Sequence, residues 1–215
     1  MTPTSPAAPP ADSFIFHITH IDNVAGILRE GGLWSDAERI RRGLVTTNIG
    51  LKRIKKRRLS RPLATRAGGT LGEYVPFNFC YRSVMLYRIC RGHEDYAGGQ
   101  DSIIHLVSRV STAISLGRPW AFTDRHAELA HALHFDELQH LAEVPWAVMN
   151  LAYWQEHGEE RQAEFLVHEF FPWTAVLGIA VRTAGTETTL RQILGSQGDK
   201  TAMAIRPDWY YQDYP

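Results

Sequence analysis

Arg161-Gln162-Ala163-Glu164-Phe165-Leu166-Val167 is the stretch on which the reading of the fold turns. As a strand it sends Ala163, Phe165 and Val167 to one face and Gln162, Glu164 and Leu166 to the other, leaving a carboxylate mid-strand among apolar neighbours. A carboxylate there costs free energy unless it is paired, hydrogen-bonded or beside a wet cleft. Glu164 is therefore either an edge residue turned to solvent or a working acid at a cleft, where perturbed carboxylates are put to use.

The composition narrows the choice of partner. With 215 residues the chain can bury a sizeable core, and residues 13–215 are expected to form a single domain behind a disordered Pro- and Ala-rich leader over 1–12. Basic and acidic residues balance at 23 each, so any affinity for a polyanion must be local. Cys80 and Cys90 are too few for a disulfide framework or a cysteine zinc site and fit a reducing, cytoplasmic setting. No apolar run approaches the roughly 18 residues of a membrane span, and the start lacks the basic n-region and apolar core expected of a signal peptide.

Taken outward from Glu164, the elements alternate in kind. Phe14 to Ile18 reads as a buried strand, followed by a helix capped by Thr19, carrying Ile21, Val24, Ile27 and Leu28 and ending at Gly31-Gly32. Gly26 lies inside that helix, which implies close approach by protein or ligand. His17 stands at the strand–helix junction, either as a satisfied core histidine or beside an anion at the helix start. Lys52, Arg53, Lys55, Lys56, Arg57, Arg58 and Arg61 make a local positive patch, suited to phosphate or simply solvated. A helix from Leu51 turns Leu51 and Ile54 inward with Arg58 nearly between them and Arg57 on the flank.

Strands follow at Glu73–Cys80, where Pro76 suggests an edge or a bulge, and at Ile103–Val107, Trp120–Phe122, Val176–Val181 and Ala202–Ile205. Ser83 to Ile89 reads as a helical turn and Thr188 to Leu194 as a short helix. Between His126 and Trp154 the period is helical, with Leu129, Leu133, Leu138 and Leu141 on one helix and Val148, Leu151 and Ala152 on another after Pro145. The order argues for an α+β fold with mostly antiparallel pairing.

Rossmann, phosphate-loop and hydrolase-elbow signatures are absent. His126, His131, His134 and His140 do not have the spacing of a zinc motif, so no metal is expected. What remains is Glu164, the His17-Ile18-Thr19 turn, the basic run, and Thr123-Asp124-Arg125-His126 opening an excursion that ends at Glu164. Four fragments, in order, carry a resemblance: Phe16-His17-Ile18-Thr19-His20-Ile21-Asp22-Asn23, Tyr74-Val75-Pro76-Phe77-Asn78-Phe79 with Met85-Leu86-Tyr87, Phe122-Thr123-Asp124-Arg125-His126, and Gln162-Ala163-Glu164-Phe165-Leu166-Val167. Together they resemble the DarT-type DNA ADP-ribosyltransferase toxins over nearly the whole chain after residue 13.

The resemblance implies an ADP-ribosyltransferase-like fold of split, mostly antiparallel sheets flanked by helices around an NAD cleft. It implies transfer of ADP-ribose from NAD to thymidine in single-stranded DNA in a sequence-specific manner, with release of nicotinamide. It further implies a toxin–antitoxin pair in which a macrodomain-containing antitoxin reverses the modification. By motif, His17, Ile18, Thr19, Gly26 and Trp34 line the cofactor site, Arg57 and Glu164 are catalytic with Arg57 also touching NAD, and His126 faces DNA or moves a proton. The helical phase favours Arg58 over Arg57 as the arginine in the cleft, and both stay open. Rival readings are the same cleft acting on guanine, RNA or protein, and a non-catalytic nucleic-acid-binding module. Trp120, Tyr153 and Trp154 are the aromatics on which unpaired bases would stack.

Overall fold

A computed structural model describes residues 12–198 and 200–212. The leader expected over 1–12 lies outside the described residues except for Asp12, which belongs to the folded part. Its carboxylate accepts hydrogen bonds from the Ser111 hydroxyl and backbone N–H, and the Arg109 guanidinium donates to its carbonyl at 3.0 Å.

The architecture is α+β. Strands β1 (Phe14–His20), β3 (Tyr74–Asn78), β4 (Ile103–Arg109), β5 (Trp120–Thr123), β6 (His134–Phe135), β7 (Glu164–His168), β9 (Gly178–Val181) and β10 (Met203–Ile205) form one sheet in the order β10-β9-β4-β1-β3-β7-β5-β6. Every ladder is antiparallel except β9 with β10. A second, two-stranded sheet joins β2 (Gly32–Trp34) to β8 (Phe170–Pro172). At Gly32 a Cβ would run into the Phe171 carbonyl, so only glycine permits that pairing.

Strand periodicity assigns the two faces. Ile15 and Ile104 with Leu106 enter the main core together with helices α1 (Val24–Arg29), α5 (Val110–Ser115) and α7 (Ala184–Leu194). Ile18 and Ile103 enter a second core under helix α4 (Val84–Arg91) and the aromatic C-terminal segment. That segment is tied down by hydroxyls: Tyr210 donates to the Ile103 carbonyl and Tyr211 to that of Arg82, each at 2.8 Å.

Four sequence expectations are corrected. Thr19 does not cap a helix but ends within β1, and the chain passes through a 3-10 turn (Ile21–Asn23) capped by the His20 ring before α1. Glu164 is the first residue of β7 rather than its middle, because Glu160–Gln162 forms a 3-10 turn. Pro76 is on an interior strand, not an edge. It is tolerated because β1 and β3 are in register only at Phe16 and Asn78, so no ladder partner loses a donor.

The fourth correction concerns residues 126–154, which hold no long helix but turns, β6, a 3-10 segment (Leu138–Glu143) and the short helix α6 (Trp146–Met149). Within the stretch Asp124 takes the Leu133 N–H at 2.9 Å, and His134 and Asp136 tie it to a distant segment by accepting from the N–H groups of Ala64 and Arg66, each at 2.9 Å. Leu133 and Leu138 are left exposed, so their helical spacing finds no core to face.

A buried cation ties this irregular stretch to β7. Arg161 donates to the carbonyls of Arg82, Val148 and Leu151, the shortest bond being 2.7 Å, and no ion pair with a carboxylate is found for it among the described residues. Arg161→Met leaves three carbonyls short of a donor and is expected to lower unfolding free energy by about 3 kcal/mol in a urea titration.

Candidate active site

The place where β1 and β3 part is where a cavity opens. With a single residue pair between them, the two halves of the sheet diverge past Pro76, and the gap is bridged by a side chain: His17 Nδ1 donates to the Pro76 carbonyl at 2.8 Å. The cavity, of about 450 Å³, runs from β1 and α1 across the 44–51 loop to β7. His17, Ile18, Thr19, Gly26, Trp34, His126 and Glu164 all line it, together with Arg58.

Glu164 is at its floor, buried, opposite Asn78 on β3. Arg58, the last residue of helix α3 (Lys52–Arg58), grips it in fork geometry, with Nη1 to Oε1 at 2.8 Å and Nη2 to Oε2 at 3.0 Å. The Ala127 N–H adds a third donor at 3.3 Å. Burial alone would raise the Glu164 carboxyl, but the charge and hydrogen bonds of Arg58 outweigh it and hold the group below its ordinary value. The guanidinium is likewise raised by Glu164 against the opposing effect of burial.

Arg57, expected in the cleft by resemblance, lies outside it and is half exposed, paired with Glu128. One residue along a helix is a rotation of about 100°, and the inward phase set by buried Leu51 and by Ile54 belongs to Arg58. The same pairing weakens the expected positive patch. Lys52 meets Asp95, Lys55 meets Asp36, and the two arginines meet Glu128 and Glu164, so four of the seven cations are neutralised within the fold. Of the aromatics proposed for stacking, Trp154 is buried and Trp120 is stacked against Phe165 and Phe122, whereas Tyr153 is exposed.

Hydrogen bonds fix what each histidine can do. His17 spends its N–H on Pro76, and burial lowers its pKa, so it is neutral with the Nε2 lone pair left as an acceptor. His126 has the opposite tautomer: its Nδ1 accepts from the Glu128 N–H at 3.1 Å, which places the proton on Nε2. Burial, with the Arg58 charge, lowers its pKa against the pull of Glu164. Neutral His126 therefore offers the cleft a donor, and its basic lone pair is occupied.

The remaining wall residues behave differently from one another. Beyond its own helix backbone and chain neighbours, no described atom comes closer than 3.8 Å to where a Gly26 Cβ would be, so the glycine leaves room for something in the cavity, not for protein packing. The Trp34 ring packs against the Arg42 guanidinium at 3.6 Å and the tilted Phe170 ring at 4.3 Å, and its buried Nε1–H has no hydrogen-bond partner among the described residues. Asn23 was not anticipated: its amide donates to Thr19 Oγ1 and to the Thr47 carbonyl and accepts from the Thr47 N–H at 2.8 Å, pinning the 44–51 loop over α1. The spacing of Thr19 and Asn23 hinted at the first contact, but nothing in sequence announces a partner 24 residues away.

Among the described residues no cluster of three or more His, Cys, Asp or Glu side chains could hold a metal ion. No described helix is long and apolar enough to cross a membrane.

Residues 16–211 match the family described as "ssDNA thymidine ADP-ribosyltransferase, DarT". The DNA ADP-ribosyl transferase of Thermus sp. (strain 2.9) is 40% identical over 207 residues, covering 94% of this chain and 98% of that protein. Two solved structures of Thermus sp. 2.9 DarT superpose closely. The complex with ADP-ribosylated ssDNA has a TM-score of 0.89 at 39% identity, covering 96% of this chain and all of that one. The complex with NAD+ has a TM-score of 0.83 at 38% identity, covering 95% of this chain and all of that one.

Removing the cation while keeping the burial should reverse the Glu164 shift. In Arg58→Met the carboxyl is expected to titrate above the ordinary glutamate value, followed by carbon-13 NMR, whereas Arg57→Met leaves it below.

Proposed function

Since the chain belongs to the DarT family of ssDNA thymidine ADP-ribosyltransferases, and is thereby an NAD-dependent DNA ADP-ribosyltransferase, we propose that its cleft moves ADP-ribose from NAD to thymidine in a defined single-stranded sequence. The observation that carries this reading is the buried fork between Arg58 and Glu164 at the split of the sheet. It fixes an ionised carboxylate and a permanent cation beside each other in a cavity that neutral His17 and His126 also line.

Breaking the nicotinamide–ribose bond sends the electron pair out with nicotinamide and leaves positive charge on the sugar. Glu164 stabilises that charge more in the transition state than in the ground state. A carboxylate has about four lone-pair directions, so the fork with Arg58 leaves room to accept a ribose hydroxyl. His17 Nε2 accepts from a second hydroxyl, and the Trp34 Nε1–H meets an acceptor of the dinucleotide. Arg58 keeps its proton at any accessible pH, so it orients phosphate and stabilises the thymine anion as the ring N–H is lost to solvent. His126, with its proton on Nε2, donates to a thymine carbonyl and adds to that stabilisation.

An ADP-ribose on the only ring N–H of thymidine abolishes its pairing edge, so the product cannot serve as a template. A cell that makes such an enzyme needs a means of reversal, which supports a toxin acting in the cytoplasm beside a macrodomain-containing antitoxin. The non-catalytic binding module loses its main support with the internal neutralisation of the basic run.

Mass analysis of DNA, RNA and protein pools after incubation with NAD is expected to show the added ADP-ribose on thymidine-containing single strands alone. Label confined to RNA or protein would overturn the reading. Glu164→Gln and Arg58→Ala should each lower kcat by about 10²–10³-fold, and Arg57→Ala by less than about threefold. In single-turnover transfer from about pH 6 to about 9, His126→Ala should lower the rate without changing the shape of the profile. An acid limb that vanishes in that variant would make His126 the proton acceptor instead.

A further inference from the structure

A second, open groove of about 710 Å³ lies beside the NAD cleft, between α4 and the segment from Trp154 to Gln162. The two cavities share Arg88, His93 and Gln162 as a common wall. Nothing in the transfer chemistry above uses the groove. Its position is nevertheless tied to the reaction, because Gln162 is two residues from Glu164 on the same segment of chain.

Three features say what would enter it. Gln162 is an oriented amide: its Nε2 donates to the Gly158 carbonyl at 2.7 Å, and its Oε1 accepts no hydrogen bond among the described residues. A held planar group with one free acceptor and one remaining N–H matches the edge of a nucleobase. Arg88 is exposed on the shared rim and forms no ion pair among the described residues, so its charge is available to a phosphate. Inside the groove Glu156, Glu159 and Glu160 stand with Arg91, and the carboxylates offer acceptors for exocyclic amino groups.

We infer that this groove is the subsite for a nucleobase flanking the modified thymine, with Gln162 reading the base edge and Arg88 holding the phosphate that joins the two nucleotides. The inference rests on the reading of the chain as a DNA ADP-ribosyltransferase and supplies the origin of its sequence preference. Since Gln162 lines both cavities, a strand whose thymine lies over Glu164 and His126 has the groove within reach of its neighbour, and an unpaired neighbour can turn its base into it without breaking a duplex. Phosphate on the rim sets position and base in the groove sets sequence.

The test uses thymidine oligonucleotides with randomised flanks, NAD, and the full chain, with products sequenced by mass. Wild type is expected to prefer certain bases at one flanking position by about tenfold, and Gln162→Met to flatten that position to within about twofold while keeping thymidine as the target. Arg88→Ala should raise KM for all oligonucleotides alike by about tenfold and lower the salt slope by about one. Because Gln162→Met is close to the cleft, anisotropy with NAD-free oligonucleotides differing at that position keeps the test open if turnover is lost. Equal affinity of Gln162→Met for all four flanking bases, with a ranked affinity in wild type, supports the inference. An unchanged ranking in Gln162→Met, or a raised KM for NAD with the ranking intact, overturns it. Failure of wild type to modify any thymidine would strike the premise instead, a result distinct from either of these.

Discussion

The fork between Arg58 and Glu164 is the constraint on which the arrangement depends. Two charges taken out of water are tolerated because each supplies what the other lacks, in bidentate geometry and with a backbone N–H in addition. The consequence for chemistry is that Glu164 stays ionised although burial opposes it. The consequence for the fold is that the end of α3, the start of β7 and the loop carrying Ala127 must meet at one point, and these three elements are far apart in sequence.

What lets that point be a cleft and not a sealed core is the near absence of pairing between β1 and β3. Pro76 cannot donate to a neighbouring strand, and its carbonyl is taken by His17 instead. The sheet therefore continues in topology but parts in space, and the side chains at the parting face the cavity from both halves. Gly26 and the 44–51 loop complete the wall from the other side, the loop being held by the amide of Asn23. Function here comes from an interruption of regular structure that the surrounding hydrogen bonds keep open.

The sequence made the chemistry more legible than the path of the chain. A carboxylate in an apolar run singled out Glu164, and the inward phase of Leu51 and Ile54 pointed to Arg58 even though motif matching pointed to its neighbour. Strands and short helices with a clear apolar period, such as β1, β4 and α7, were readable because a core decides them. Residues 126–154 were not, since Asp124 takes the Leu133 N–H while His134 and Asp136 are drawn to the backbone of Ala64 and Arg66, and periodicity carries no trace of those tertiary contacts. The charge of the basic run was visible, but its neutralisation by Asp36, Asp95, Glu128 and Glu164 required partners placed by the tertiary fold. The tautomers of His17 and His126, which assign one an acceptor and the other a donor, are also tertiary facts.

The central claim is that the parting of the sheet is the NAD site and that the buried fork is its reacting end. A crystal structure of Glu164→Gln soaked with NAD addresses it most directly. The account predicts the nicotinamide ribose hydroxyls within about 3.2 Å of position 164 and of His17 Nε2, with Arg58 turned toward the diphosphate. A dinucleotide bound elsewhere on the molecule, or one whose nicotinamide ribose lies far from position 164, would contradict it.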